Sequence, residues 1–110
     1  MKLLKENALN RAVERIVEAV DPERVYLYGS HCYGTPNRDS DVDLLVVISE
    51  DCGGRKRRRV AVEAYRALSG LEFPAEIKVV TARQFKERSG WLSTIERVVK
   101  QKGRLVYDRT

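Results

Sequence analysis

A chain of 110 residues, 43% apolar and 34% charged, is long enough for one domain with its own core, spanning residues 1–110. Those fractions exclude disordered, collagen-like and coiled-coil classes, and no apolar run approaches the ~20 residues of a membrane helix. The formal charge of +5 resides in one run, Arg55-Lys56-Arg57-Arg58-Arg59, without which the sequence is neutral, unlike a protein that is basic throughout.

Apolar residues at Leu4, Ala8, Leu9, Ala12, Val13, Ile16, Val17 and Val20 form one stripe and predict a helix over 3–20. Asp21-Pro22 ends it, because proline disfavours helix in the residue before it. Arg24 to Tyr28 is β-branched and aromatic and predicts a strand, stopped by Gly29-Ser30. Residues 31–40 hold Gly34, Pro36 and Asn37 and predict a short helical turn and a loop. Asp41 to Ile48 is the strongest strand signal. It is apolar on both faces apart from Asp41 and Asp43, which places it in the middle of an α/β sheet. Cys52-Gly53-Gly54 predicts a turn. Val60, Ala61, Ala64, Tyr65 and Leu68 stripe a helix that Ser69-Gly70 closes. Ala75 to Val80 predicts a third strand, and Thr81 to Gln84 a capping box opening the next helix. Ser93 to Glu96 predicts a second capping box, with Ile95, Val98 and Val99 facing inward and Gly103 ending the helix. Leu105 to Tyr107 predicts a short final edge strand. The expected class is α/β, a small mixed β-sheet with flanking helices.

Two cysteines, Cys32 and Cys52, and no apolar signal segment after Met1 point to a reducing, cytoplasmic setting. With one histidine beside them they are too few for a zinc site, so any metal would be held by oxygen. The basic run reads either as a solvated loop and helix start or as a patch for phosphate or an acidic partner. Positive charge at a helix start opposes the helix dipole.

Asp41 and Asp43 carry the chemistry. Alternate residues of a strand share a face, so both side chains point the same way, about 6–7 Å apart. Val42, Leu44, Val46 and Ile48 point the other way, into a core. Two adjacent acids repel, and a hard, oxygen-seeking cation such as Mg²⁺ is the usual compensation. Glu76 begins a later strand among apolar residues. If that strand pairs beside residues 41–48, Glu76 completes a three-carboxylate cluster able to hold two ions. Otherwise it is a solvated strand end. Gly29-Ser30, after a strand and before a helical turn, offers backbone N–H groups and a hydroxyl to a phosphate, or Ser30 is a plain helix cap.

Gly29-Ser30, ten residues, then Asp41-Val42-Asp43 resembles the signature of the DNA polymerase β-like nucleotidyltransferase superfamily. The flanks Gly29-Ser30-His31-Cys32-Tyr33-Gly34 and Asp39-Ser40-Asp41-Val42-Asp43-Leu44 are similar to its minimal nucleotidyltransferases, and Glu76 to Thr81 and Trp91 to Tyr107 to their later strand and closing segment. His31, Cys32 and Glu76 depart from the usual residues, Glu76 by one methylene over aspartate. The resemblance implies a nucleotidyltransferase fold and Mg²⁺-dependent transfer of a nucleoside monophosphate, AMP from ATP, to an acceptor with release of pyrophosphate. In it Asp41 and Asp43 hold two Mg²⁺ ions. Glu76 binds the catalytic one and helps activate the acceptor, and Gly29 and Ser30 hold the triphosphate tail. Arg38, Asp39 and Ser40 complete the nucleotide site or cap the loop. It further implies a HEPN-domain toxin as partner, with a hydroxyl on that toxin as acceptor and this chain as antitoxin.

The competing expectation is a catalytically weak or inactive antitoxin or scaffold that acts by contact. A third, RNA binding, rests on the basic run alone and predicts steep salt dependence. Self-association and nucleic-acid binding are left open by the residues, and no membrane partner is expected. His31 reads as a polar turn residue or a phosphate contact. Tyr26, Tyr28 and Tyr33 read as core or base-stacking residues, and Trp91 as an anchor under the last helix or an interface residue.

Overall fold

A computed structural model describes residues 6–29, 41–50, 57–71, 74–91 and 94–109. The first apolar stripe is helix α1 (Glu6–Val20), which stops where Asp21 takes a left-handed φ of +48°. Strand β1 (Arg24–Tyr28) follows, then β2 (Val42–Ile48), helix α2 (Arg57–Ala67), β3 (Ala75–Thr81), the short helices α3 (Ala82–Arg88) and α4 (Ile95–Lys102), and β4 (Arg104–Asp108). The strands form one mixed sheet in the order β3-β2-β1-β4. β2 runs parallel to β3 and antiparallel to β1, and β4 closes the far side antiparallel to β1. The central place of β2 follows from its sequence, since a strand apolar on both faces needs cover on both.

The two faces bury different sets. Val42, Leu44, Val46 and Ile48 pack with Val25, Leu27, Ile77 and Val79 under α1 and α2. Leu45 and Val47 pack on the other side with Val80, Phe85, Val99, Tyr26 and Tyr28, under α3 and α4. Tyr26 stacks on Phe85 at 5.2 Å, and Arg24 lies over both rings. Among the described residues no helix is long and apolar enough to cross a membrane.

α2 begins at Arg57, within the basic run expected at or just before its start, so Arg57, Arg58 and Arg59 form its first turn. The opposing helix dipole is offset by partners: Arg57 donates to Gln84 of α3, and Arg59 pairs with Glu63 one turn on. Arg55 and Lys56 lie outside the described residues. The Thr81–Gln84 capping box forms as expected, with Gln84 N–H donating to Thr81 Oγ1 at 3.2 Å and Thr81 N–H to Gln84 Oε1 at 3.1 Å. The second box does not. The cap of α4 is Thr94, which accepts from Arg97 N–H, so Glu96 falls one place too early to bond back. Glu96 turns inward to Arg88 instead. Val99 is buried, but Ile95 and Val98 face solvent, contrary to the apolar spacing.

β3 is an edge strand, and α2 covers part of its open side. Tyr65 Oη accepts from Ile77 N–H at 2.8 Å and donates to Ile77 C=O at 3.4 Å. A buried or half-buried hydrogen bond contributes about 1 kcal/mol net. Tyr65→Phe should therefore lower Tm by about 4–8 °C in a thermal scan. An unchanged Tm would show that water replaces the hydroxyl freely.

Candidate active site

Three strand ends line up across the sheet. Tyr28 at the end of β1 is register-paired with Asp43 near the start of β2, and Asp43 with Glu76 near the start of β3. Paired residues share a face, so this row lies on the α3–α4 side. Neighbouring strands are about 4.8 Å apart, which brings the Asp43 and Glu76 backbones within side-chain reach of each other. Asp43 is half-buried, whereas Asp41, just outside the strand, and Glu76 are exposed.

Gly29 meets this row directly. Its φ is +79°, and a Cβ built there would stand 2.1 Å from Asp43 Oδ2 and 3.0 Å from Asp43 Cγ. The missing side chain is the space that the Asp43 carboxylate occupies. This contact was not visible in the sequence, where Gly29 stood only as part of a phosphate cradle. Its signal is a glycine immediately after the residue that pairs with the acid.

Lys78 is a second residue the sequence reading passed over. It lies two places beyond Glu76 on β3, opposite Leu45 and exposed, so alternation puts its ammonium on the same face as the acids. Ser30, His31, Arg38, Asp39 and Ser40 lie outside the described residues, as does Tyr33. Tyr26 packs against Phe85 and belongs to the core, and Tyr28 packs against the same cluster.

Asp41, Asp43 and Glu76 are an all-oxygen donor set suited to a hard divalent cation. Among the described residues no three such side chains converge closely enough to hold a metal ion as they stand. Asp43 and Glu76 share the row and Asp41 lies just outside it, an open arrangement rather than a closed cage. The clearance at Gly29 keeps one of them seated, and the exposure of the other two leaves them able to turn. The donor chemistry therefore fits Mg²⁺.

Residues 8–106 match the family model of the nucleotidyltransferase domain. The fold is similar to that of a candidate nucleotidyltransferase from Sulfolobus solfataricus, at 20% identity and a TM-score of 0.55, over 96% of this chain and 91% of that one. It is also similar to a toxin–antitoxin structure with AMP-PNP, at 20% identity and a TM-score of 0.52, over 96% of this chain and 74% of that one. At that identity the likeness shows the fold. No curated protein sequence is significantly similar to the chain.

Proposed function

The chain belongs to the nucleotidyltransferase domain family, and on that premise we propose that it transfers AMP from ATP to a hydroxyl of a partner toxin of the HEPN type, acting as antitoxin. The observation that carries the reading is the Asp43–Glu76 pair in one row, with Gly29 leaving room for the Asp43 carboxylate. The similar toxin–antitoxin structure with AMP-PNP supports an adenine nucleotide and a toxin partner.

Asp41, Asp43 and Glu76 would hold two Mg²⁺ ions. Bound there, Mg²⁺ supplies positive charge to the phosphates and to the oxygen that attacks. Gly29 and Ser30, with Arg38, Asp39 and Ser40, receive the triphosphate. Lys78 adds a cation on the same face. The acceptor oxygen bonds to the α-phosphorus as the bond from that phosphorus to the oxygen bridging the α- and β-phosphates breaks, releasing pyrophosphate, and the acceptor proton passes to the Glu76 carboxylate. Positioning does most of the work in such a transfer.

The test is label transfer from α-labelled nucleoside triphosphates with Mg²⁺, with and without the toxin. Asp43→Asn should lower transfer by about a hundredfold or more. It should leave Tm unchanged or slightly raised, because one of two repelling charges is removed. Equal transfer by the variant would place the chemistry elsewhere. The competing reading, contact-only neutralisation, predicts a bound, silenced toxin carrying no label.

A further inference from the structure

α4 is built inside out. It buries Glu96 and Val99 and turns Ile95, 39% exposed, and Val98, 40% exposed, to solvent. Three positions apart, these two share one face of the helix, and their side chains lean toward its N-terminus. Trp91, 55% exposed, lies just before that end, in a turn tied to the helix cap by Thr94 Oγ1 donating to Arg88 C=O at 2.6 Å. At the other end Gly103 lets the chain turn tightly into β4, since a Cβ there would meet Val99 C=O at 2.6 Å. Leu105, 46% exposed, then pairs with Tyr26 and so lies on the same side of the sheet. Single exposed apolar residues are ordinary, but four between Trp91 and Leu105, on and beside one short helix, are not.

The surroundings are strongly cationic. From Arg83 to Lys102 the chain carries six cations, Arg83, Lys86, Arg88, Arg97, Lys100 and Lys102, against two acids, Glu87 and Glu96. Glu96 is only 2% exposed and faces Arg88. A second copy of this chain suits such a face poorly, because a two-fold contact sets one cationic surface against another. The complementary surface is apolar at its centre and carboxylate-rich at its rim.

We infer that Trp91, Ile95, Val98 and Leu105 form a docking surface for a protein partner that presents an apolar segment flanked by Asp and Glu. The surface ends beside the candidate active site. Leu105 pairs with Tyr26, which lies two places before Tyr28 in the row that contains Asp43 and Glu76, on the same side of the sheet. A partner seated on α4 thus brings its own side chains to the acids, a consequence that rests on the transfer reading above.

The probe is a displayed library of random peptides, selected on the intact chain without nucleotide or metal. Peptides combining Leu, Phe or Trp with Asp or Glu should be enriched. Their affinity should fall about tenfold or more for the double variant I95E/V98E, as for loss of central interface contacts. Thermal unfolding should show that variant as stable as the parent chain, and sedimentation should show the parent chain monomeric. Enrichment of basic peptides, or peptides held equally by the variant, would overturn the proposal. So would a collapsed Tm in the variant, which would make these core residues. A parent dimer that the variant abolishes would overturn it in favour of a second copy. Asp43→Asn should bind the same peptides undiminished, so failure of docking and failure of transfer are separate results.

Discussion

Gly29→Ala should cost the protein about 2–3 kcal/mol of stability and about a hundredfold in transfer activity. Two effects add. An L-residue at φ +79° is strained by about 1–2 kcal/mol whatever surrounds it. The new methyl would also stand 2.1 Å from Asp43 Oδ2, far inside contact distance, and 3.0 Å from Cγ. The carboxylate must leave its seat, and the row loses its one half-buried acid. Chemical denaturation of Gly29→Ala, Asp43→Ala and the double variant separates the effects. In the double variant the backbone strain remains while the clash with the carboxylate disappears, so the two losses should fall short of additivity by about 1 kcal/mol. Full additivity, or a Gly29→Ala chain as stable as the parent, would remove Gly29 from any role in seating Asp43.

Arg88→Ala should be the most damaging change far from that row. Glu96 is 2% exposed, and its Oε2 lies 3.4 Å from Arg88 Nη1. Removing one partner of a buried pair typically costs about 3–5 kcal/mol, because the other charge is left in a medium that cannot solvate it. Arg88 is 43% exposed, so water already screens part of the attraction, and about 2–3 kcal/mol is the fitting range. Its guanidinium also lies 5.8 Å from the centre of the Trp91 ring, and that contact goes with it. The expected fall in Tm is about 10–20 °C. Adding Glu96→Gln should recover most of it, since a neutral amide is less costly to bury. If Arg88→Ala unfolds within a degree or two of the parent, the burial of Glu96 does not depend on this pair.

Legibility in the sequence followed the range of the interactions. The Thr81–Gln84 box joins residues three apart, and both bonds form as their order implies. The seven residues of β2 alternate between two apolar surfaces, which told its central position before any partner strand was known. Alternation put Asp41 and Asp43 on one face, and Glu76 was to join them if β3 lay beside β2, which it does. What stayed hidden depends on contacts that spacing does not encode. α4 could not be oriented from Ile95, Val98 and Val99, because burial of Glu96 was decided by an arginine eight places upstream. The Gly29–Asp43 contact exists only once β1 and β2 have settled into register.

The order β3-β2-β1-β4 also has a history in time. Arg24 of β1 waits for Asp108 of β4, eighty-four positions later in the chain. At about 5–20 residues per second, a ribosome needs roughly 4–17 s to cover that stretch. Throughout that interval the outer side of β1 is an unpaired template, of the kind that recruits strands from other molecules. The nascent protein is therefore most prone to aggregation in the seconds before residues 104–108 emerge. Slower translation lengthens that window, and fewer neighbouring nascent chains make it less dangerous.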